Sequence, residues 1–471
     1  MNSHNNYKFG MIGLGTMGRN LLLNMADKGF SVTGHDKNLQ MIALLKEEGK
    51  AHHLNGFADV KDFINSLEKP RKIILLVPAG AIVDNVINEL IPLLDKGDII
   101  IDSGNSYFAD TSRRDEELKA LGIHFFGMGI SGGEEGARFG PSLMPGGDKE
   151  AYAMMKDVLE AVSAKVDNEP CVTYIGPGAS GHFVKMTHNG IEYAIMQLIA
   201  EMYEFLKNGL NYSNEQIQQF FAKCNEGRLK SFLIEITANI FLVKDKQTGN
   251  LLVDMIRDQA KSKGTGKWTS QIAMDLEVPI PTIDSAVAMR NLSKLKQLRV
   301  SLENDLGKST PVKVDPEMDI HLENAFFFAM VSAYAQGMHL LQQASRTYEY
   351  NLNLAEIAKI WRGGCIIRAT FLSDIYQAYS RNPELGHLFK DENIQQQLSD
   401  SLDSTRKIIT KALNHGISVP AFAASLTYFD MLKTGRMPSN LTQAQRDYFG
   451  AHTFERTDEE GIFHNDWNSG N

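Results

Sequence analysis

Lys185, His188, Asn189 and Glu192 stand at i, i+3, i+4 and i+7 of one short segment. On a helix those positions share a face. A base, an acid and two neutral hydrogen-bonding groups could converge there on one ligand. The same spacing also fits a solvated face joined by a Lys–Glu pair. Two features favour chemistry. Asn189-Gly190 is poor helix-forming material for an exposed face. The segment also directly follows a region with the marks of a dinucleotide-binding domain, where a partner domain would bring its catalytic groups to the cofactor.

Those marks begin with Gly13-Leu14-Gly15-Thr16-Met17-Gly18, a G-x-G-x-x-G run. Alone it says little. Here it follows an expected strand and opens an expected helix, which is the context it needs. The first glycine permits a tight turn, the second lets backbone approach a pyrophosphate, and the third allows close helix–strand packing. The free N–H groups of the helix N-terminus favour an anion. Asp36 comes 21 residues after Gly15, at the end of the second expected strand, where a ribose-binding carboxylate belongs.

The elements that must position these groups are legible in outline. Residues 8–12, 29–35, 72–77 and 98–102 read as strands, and 19–28 as a helix between the first two. Alternation of this kind predicts an α/β, Rossmann-like domain with a parallel sheet. The glycine-rich stretch 127–147 reads as a turn cluster or an anion nest. Gly176-Pro177-Gly178 marks the expected boundary. Beyond it, 191–206, 324–341 and 396–413 have helical spacing and strand signals are few, which predicts a large all-α domain. Asn189–Ala194 can be laid on Asn324–Ala329, and Ala222-Lys223 on Ala358-Lys359, with shifts of 135 and 136. These near-equal offsets suggest a duplicated helical unit. The tail is polar, with a helical piece over 443–449. The expected divisions are 1–178, 179–435 and 436–471.

Composition narrows the class. A chain of 471 residues is too long for one core. A net charge of −9 without a basic block argues against a nucleic-acid partner. No apolar run is long enough to span a bilayer. Cys171, Cys224 and Cys365 are widely separated, so neither a disulfide framework nor a metal site is indicated. A reducing, cytoplasmic setting fits. Lys263–Trp268 lacks the Ser or Thr of a P-loop, and Leu302 spoils the alternative ending in Gly307-Lys308-Ser309, so ATP binding is rejected.

Residues 181–193 resemble the signature of the 6-phosphogluconate dehydrogenases. So do Ile130-Ser131-Gly132-Gly133-Glu134-Glu135-Gly136-Ala137, Pro141-Ser142-Leu143-Met144-Pro145-Gly146-Gly147, Lys263-Gly264-Thr265-Gly266-Lys267-Trp268, and Gln443-Ala444-Gln445-Arg446-Asp447-Tyr448-Phe449-Gly450-Ala451-His452. The blocks run through nearly the whole chain in the family's order. The resemblance implies oxidative decarboxylation of 6-phosphogluconate to ribulose 5-phosphate, with no metal, by a homodimer whose tails cross between subunits. It implies Lys185 as general base, with its pKa lowered by burial near other cations, and Glu192 as general acid. Asn105, Ser131, Gly132, Gly133, His188 and Asn189 would hold the sugar acid. Tyr193, Lys263, Thr265 and Arg290 would hold the phosphate, with Arg446 and His452 reaching the neighbouring subunit's site. Gly13, Leu14, Gly15, Thr16, Met17, Gly18, Asp36, Lys37, Asn38, Val77, Pro78, Ala79 and Asn105 would contact the cofactor.

Two departures concern that cofactor. The family mostly uses NADP and meets its 2′-phosphate with an Asn-Arg-Thr-like turn. Here the turn is Asp36-Lys37-Asn38. A carboxylate there suits a 2′-hydroxyl and repels a phosphate, and Lys37 lacks the planar fork of arginine. NADP and NAD both stay open. Pro78 stands where many relatives carry a lysine, and it removes one backbone donor. The rival readings are a shorter β-hydroxyacid dehydrogenase of the hydroxyisobutyrate type and a catalytically dead nucleotide-binding protein. Chain length, His188-Asn189-Gly190-Ile191-Glu192 and the phosphate-binding residues oppose the first; retention of Lys185 and Glu192 opposes the second.

Overall fold

Short runs of Ile, Leu and Phe build one seven-stranded sheet in a computed structural model that describes residues 7–313 and 316–467. The strands are Phe9–Ile12 (β1), Val32–His35 (β2), Leu54–Phe57 (β3), Lys72–Leu75 (β4), Ile99–Asp102 (β5), His124–Ser131 (β6) and Ser142–Gly147 (β7). Their order is β3-β2-β1-β4-β5-β6-β7. β1 to β6 pair in parallel, while β7 runs antiparallel to β6. The all-buried Ile-Ile-Ile-Asp of β5 shows why a parallel strand covered on both faces needs no alternation. The order reverses between β1 and β4, which opens a crevice at their carboxyl ends. The second strand is shorter than expected because Gly29, at φ +84°, still belongs to the turn.

The glycine-rich stretch is mostly strand rather than turn. β6 and β7 are joined by the short helix Gly133–Phe139, and the helix Ser180–Glu204 lies directly on both strands. Close approach explains the glycines. A Cβ on Gly129 would sit 2.4 Å from the Lys185 Cβ, and one on Gly146 would sit 2.2 Å from the Gly181 nitrogen. The missing side chains seat the helix that carries Lys185 against the sheet.

From Ser180 onward the fold is helical, and among the described residues strand pairing is limited to isolated bridges. The long, largely buried helix Met318–Thr347 packs against both Ser180–Glu204 and Glu392–Asn414. These three contain the expected segments 324–341, most of 191–206, and 396–413. The matched repeat segments fall on corresponding elements: Asn189 and Asn324 on the two long helices, Ala222 and Ala358 on the shorter helices Asn214–Cys224 and Leu354–Ile360. Met144 and Cys171, from the first third, belong to the same apolar cluster as Phe183, Val184 and Trp361. The sheet and the helical part therefore share a core.

Glu201 serves as a remote cap. Its carboxylate accepts the Ala421 and Phe422 N–H groups at the start of the helix Pro420–Leu432. Burial pushes its pKa up to about 7 against those bonds. The tail has its own organisation. Asp447, on the helix Ser439–Gly450, is enclosed and accepts bonds from the Thr453 and Asn465 N–H groups, the His464 ring and the Trp467 indole.

Candidate active site

The helix Ser180–Glu204 places Lys185, Asn189 and Glu192 along one wall of a cavity of about 610 Å³. Lys185 is 6% exposed. Its Nζ donates to Asn189 Oδ1 at 2.7 Å and lies 3.4 Å from His188 Nδ1. His188 is fully buried behind the wall. Its Nε2 meets Ser131 Oγ at 3.2 Å, and the Trp361 ring stands edge-on to the imidazole. Ser131 Oγ also accepts the Ile366 N–H at 3.3 Å. The helix face, the loop after β6 and the segment after Leu354–Ile360 are thereby tied together.

Burial sets the protonation of the pair. It pushes the Lys185 ammonium below its ordinary pKa and the Glu192 carboxyl above its own. Each partner's charge opposes the other's shift. The sequence-based expectation placed cations beside Lys185. The groups that act on it electrostatically are instead Glu192 and Cys365, both of which favour its charged form, so desolvation alone lowers it. Burial, and then the Lys185 charge, hold His188 well below its usual value, so its ring is neutral.

The far end of the cavity is built for an anion. Gly264, at φ +103°, precedes the helix Thr265–Asp275, whose N-terminus has no side-chain cap. The first N–H groups there remain available. The Arg290 guanidinium stacks 3.4 Å above the Tyr193 ring. A Cβ on Gly266 would lie 2.5 Å from that ring, so glycine is required for the approach. Lys263 and Lys261 complete this end. A second cavity, of about 560 Å³ around His387 and Tyr428, is lined by no carboxylate and pairs no acid with a base.

The dinucleotide motif turns from β1 into the helix Thr16–Asp27. Gly13 has φ +95°, and a Cβ there would lie 2.5 Å from the Leu76 carbonyl oxygen. A Cβ on Gly18 would clash with the Gly13 carbonyl oxygen, whereas that of Gly15 would meet open space. This is the shape a pyrophosphate needs, with an uncapped helix N-terminus beside it. Gly13, Asp36, Lys37 and Val77 line an adjoining crevice of about 240 Å³. Asp36 accepts the Leu14 N–H through one oxygen and the Asn38 N–H through the other, each at 2.8 Å. Lys37 points to Glu89, and Asn38 caps the next helix. Pro78 and Ala79 lie in the loop between β4 and the helix Ala81–Leu90. Met17 lines the larger cavity, so the two spaces lie close together.

Of the expected substrate residues, Asn105, Ser131, Gly132, Gly133, Asn189, Tyr193, Lys263, Thr265 and Arg290 line the one cavity, and His188 lies just behind it. Arg446 and His452 do not line it in their own chain. Arg446 donates to Gln443 in the tail. Sequence reasoning missed Ile366, Lys261 and Met196, which line the cavity, and Trp361, which braces His188. The glycine pair Gly363-Gly364 after Trp361 was the available signal.

Comparison with known proteins agrees with this geometry. Residues 8–176 match the family model described as the NAD binding domain of 6-phosphogluconate dehydrogenase, and 181–467 match its C-terminal domain. The chain is 49% identical over 463 residues to the NADP(+)-dependent, decarboxylating 6-phosphogluconate dehydrogenase of Bacillus subtilis, covering 98% of this chain and 99% of that one. It is 47% identical to the decarboxylating enzyme of Escherichia coli, with the same coverage. A Plasmodium falciparum 6-phosphogluconate dehydrogenase, studied alone, with NADP+ and with 6-phosphogluconate, superposes with a TM-score of 0.94. Its identity is 47%, over 98% of this chain and 100% of that one.

Proposed function

We propose, for a chain that belongs to the 6-phosphogluconate dehydrogenase family, that Lys185 is the general base and Glu192 the general acid of the site. The enzyme is a decarboxylating 6-phosphogluconate dehydrogenase of the pentose phosphate pathway. The observation that carries the two roles is a buried lysine and a partly buried glutamic acid on one helix face, with pKa values displaced in opposite directions, in a cavity whose other end suits a phosphate.

Neutral Lys185 takes the proton of the substrate's C3 hydroxyl. The bound nicotinamide accepts the hydride from C3. Lys185, now an ammonium, donates a hydrogen bond to the new C3 ketone and polarises it, and the C1 carboxylate leaves as carbon dioxide. The ammonium proton passes to the ketone oxygen as the enediol forms. Glu192 then gives its proton to C1 of the enediol while Lys185 takes back the hydroxyl proton, which yields ribulose 5-phosphate. Asn105, Ser131, Gly132, Gly133, His188 and Asn189 hold the sugar-acid end. Tyr193, Lys263, Thr265 and Arg290 hold the phosphate.

The cofactor is a nicotinamide dinucleotide, and we carry NADP over from the relatives' names. Asp36 works against its 2′-phosphate. At close range in a partly solvated crevice, that repulsion is about 1–4 kcal/mol. Asp36→Asn keeps an acceptor for Leu14 and removes the charge. It is expected to raise kcat/KM for NADP by about tenfold relative to NAD. An unchanged ratio in parallel assays would remove Asp36 from cofactor choice.

We divide the chain at 178 and 435, and assign the tail to a second subunit's site in a homodimer. Two observations support this. Leu298, Val300, Leu302 and Leu306 of the helix Lys296–Leu306 are exposed, and Arg446 lies outside its own chain's cavity. Arg446→Ala is expected to raise KM for 6-phosphogluconate by about 10- to 100-fold through a lost charge-assisted contact. Co-expression with Lys185→Ala subunits then restores activity above either variant alone, because each hybrid dimer contains one complete site. No recovery in isolated hybrids argues against tail exchange. The three cysteines are free and buried, which supports a cytoplasmic enzyme.

A further inference from the structure

Arg114, on the helix Phe108–Ala120, is a buried cation outside the proton chemistry; its side chain is 1% exposed. Its fork reaches three places. Nε and Nη2 bond the two oxygens of Asp84 at 2.8 and 3.1 Å. Nη2 also donates to the Gly80 carbonyl at 3.1 Å, and Nη1 reaches Asp102 Oδ2 at 3.4 Å. Asp84 and Gly80 belong to the start of the helix after β4. Asp102 ends β5, and its carboxylate accepts the Gly104 N–H and the Ser106 hydroxyl. One guanidinium therefore holds the two loops that leave β4 and β5.

These loops flank the place where cofactor and substrate meet. Val77 lines the dinucleotide crevice, and Asn105 lines the substrate cavity. They also touch: a Cβ on Gly104 would lie 3.1 Å from the Val77 carbonyl oxygen. Thr111, one turn before Arg114, meets His182 Nδ1 at 2.7 Å, and His182 lies one turn before Lys185. The helix Phe108–Ala120 thus links both cofactor loops to the base of the catalytic helix. The Arg114 bond, with Arg113 Nη2 on the same carboxylate at 2.8 Å, holds Asp84 down to about 2.

We infer that Arg114 is a positioning residue for the nicotinamide dinucleotide, because its guanidinium locks the loops after β4 and β5 in one register beside the substrate cavity. It lines neither the dinucleotide crevice nor the substrate cavity. It acts through Gly80, Asp84 and Asp102. Hydride transfer needs the reacting atoms at about 3–3.5 Å, and a displacement of about 1 Å can cost 10²-fold. A lysine at 114 keeps the charge but cannot reach all three partners, since it lacks the planar fork.

The inference rests on the dinucleotide lying in the crevice between β1 and β4, so wild-type binding is measured first, by titrating NADP and NAD against the protein without substrate. Failure of the wild type to bind either dinucleotide overturns both the site reading and this inference. Arg114→Lys is then expected to weaken the Kd for NADP by about tenfold and to lower kcat, while KM for 6-phosphogluconate, which feels the change through Asn105 alone, rises by no more than about threefold. Asp84→Asn cuts the same fork at its more exposed end and is expected to weaken NADP binding by about threefold. A lower melting temperature with an unchanged Kd for NADP overturns the positioning role. So does an equal loss of affinity for both reactants. Should Arg114→Lys not fold, the Asp84→Asn titration decides, and an unchanged Kd there overturns the inference.

Discussion

Lys185→Ala is expected to lower kcat for nicotinamide reduction by about 10³- to 10⁴-fold, the upper range for one general base. The loss is large because, in the proposed mechanism, the same nitrogen acts twice: it removes the C3 hydroxyl proton and then polarises the ketone. The protein should still fold. Alanine is the best helix former. Burial disfavours the charged form of Glu192, the group that loses its electrostatic partner, which limits the charge left unpaired. Dinucleotide binding should persist, since the pyrophosphate cradle lies on β1 and the helix Thr16–Asp27. Lys185→Arg should fail equally, because a guanidinium stays protonated. Steady-state rates and a dinucleotide titration on the same preparation separate these outcomes. A kcat within tenfold of wild type would remove Lys185 as the base.

Glu192→Gln is expected to lower kcat by about 10²- to 10³-fold and to abolish exchange of the C1 protons of ribulose 5-phosphate with solvent. Glutamine matches the shape and has no carboxyl proton to give. Burial raises the Glu192 carboxyl, so it keeps its proton at pH values where an exposed carboxylate has lost it. Rising pH removes that proton and draws the alkaline limb of the wild-type kcat profile; the limb should vanish in the variant. Apparent values from that profile belong to the Lys185–Glu192 pair, since each charge acts on the other. The stability effect has a definite sign. A folded-state pKa above the ordinary 4.5 favours folding below that value, and the advantage is lost as pH rises through the raised value. Above it, Glu192→Gln should be at least as stable as wild type. Proton exchange at the wild-type rate would assign the acid elsewhere.

The shared face of the candidate site was readable because it is local. Lys185, Asn189 and Glu192 are joined by helical periodicity alone, and the glycine motif carries its geometry in its spacing. What escaped depends on distant partners. Ser142–Gly147 contains Pro145 and two glycines, poor strand material, and forms a strand because it pairs with β6 and underlies Ser180–Glu204. Gly127, Gly129 and Gly146 read as turn residues because the helix that needs their missing side chains comes tens of residues later. Trp361 and Ile366 meet His188 and Ser131 across a separation of the kind that no local pattern reports. Asp36 was expected to face a ribose; its bonds to Leu14 and Asn38 show that it also shapes its own loop.

The most direct test follows two products at once, nicotinamide reduction and carbon dioxide release from 6-phosphogluconate, in parallel with NADP and NAD. The account predicts equal amounts of reduced cofactor and carbon dioxide, with ribulose 5-phosphate formed, and neither product from the Lys185→Ala protein. Reduction without carbon dioxide, or no turnover with either dinucleotide while 3-hydroxyisobutyrate is oxidised, would contradict it.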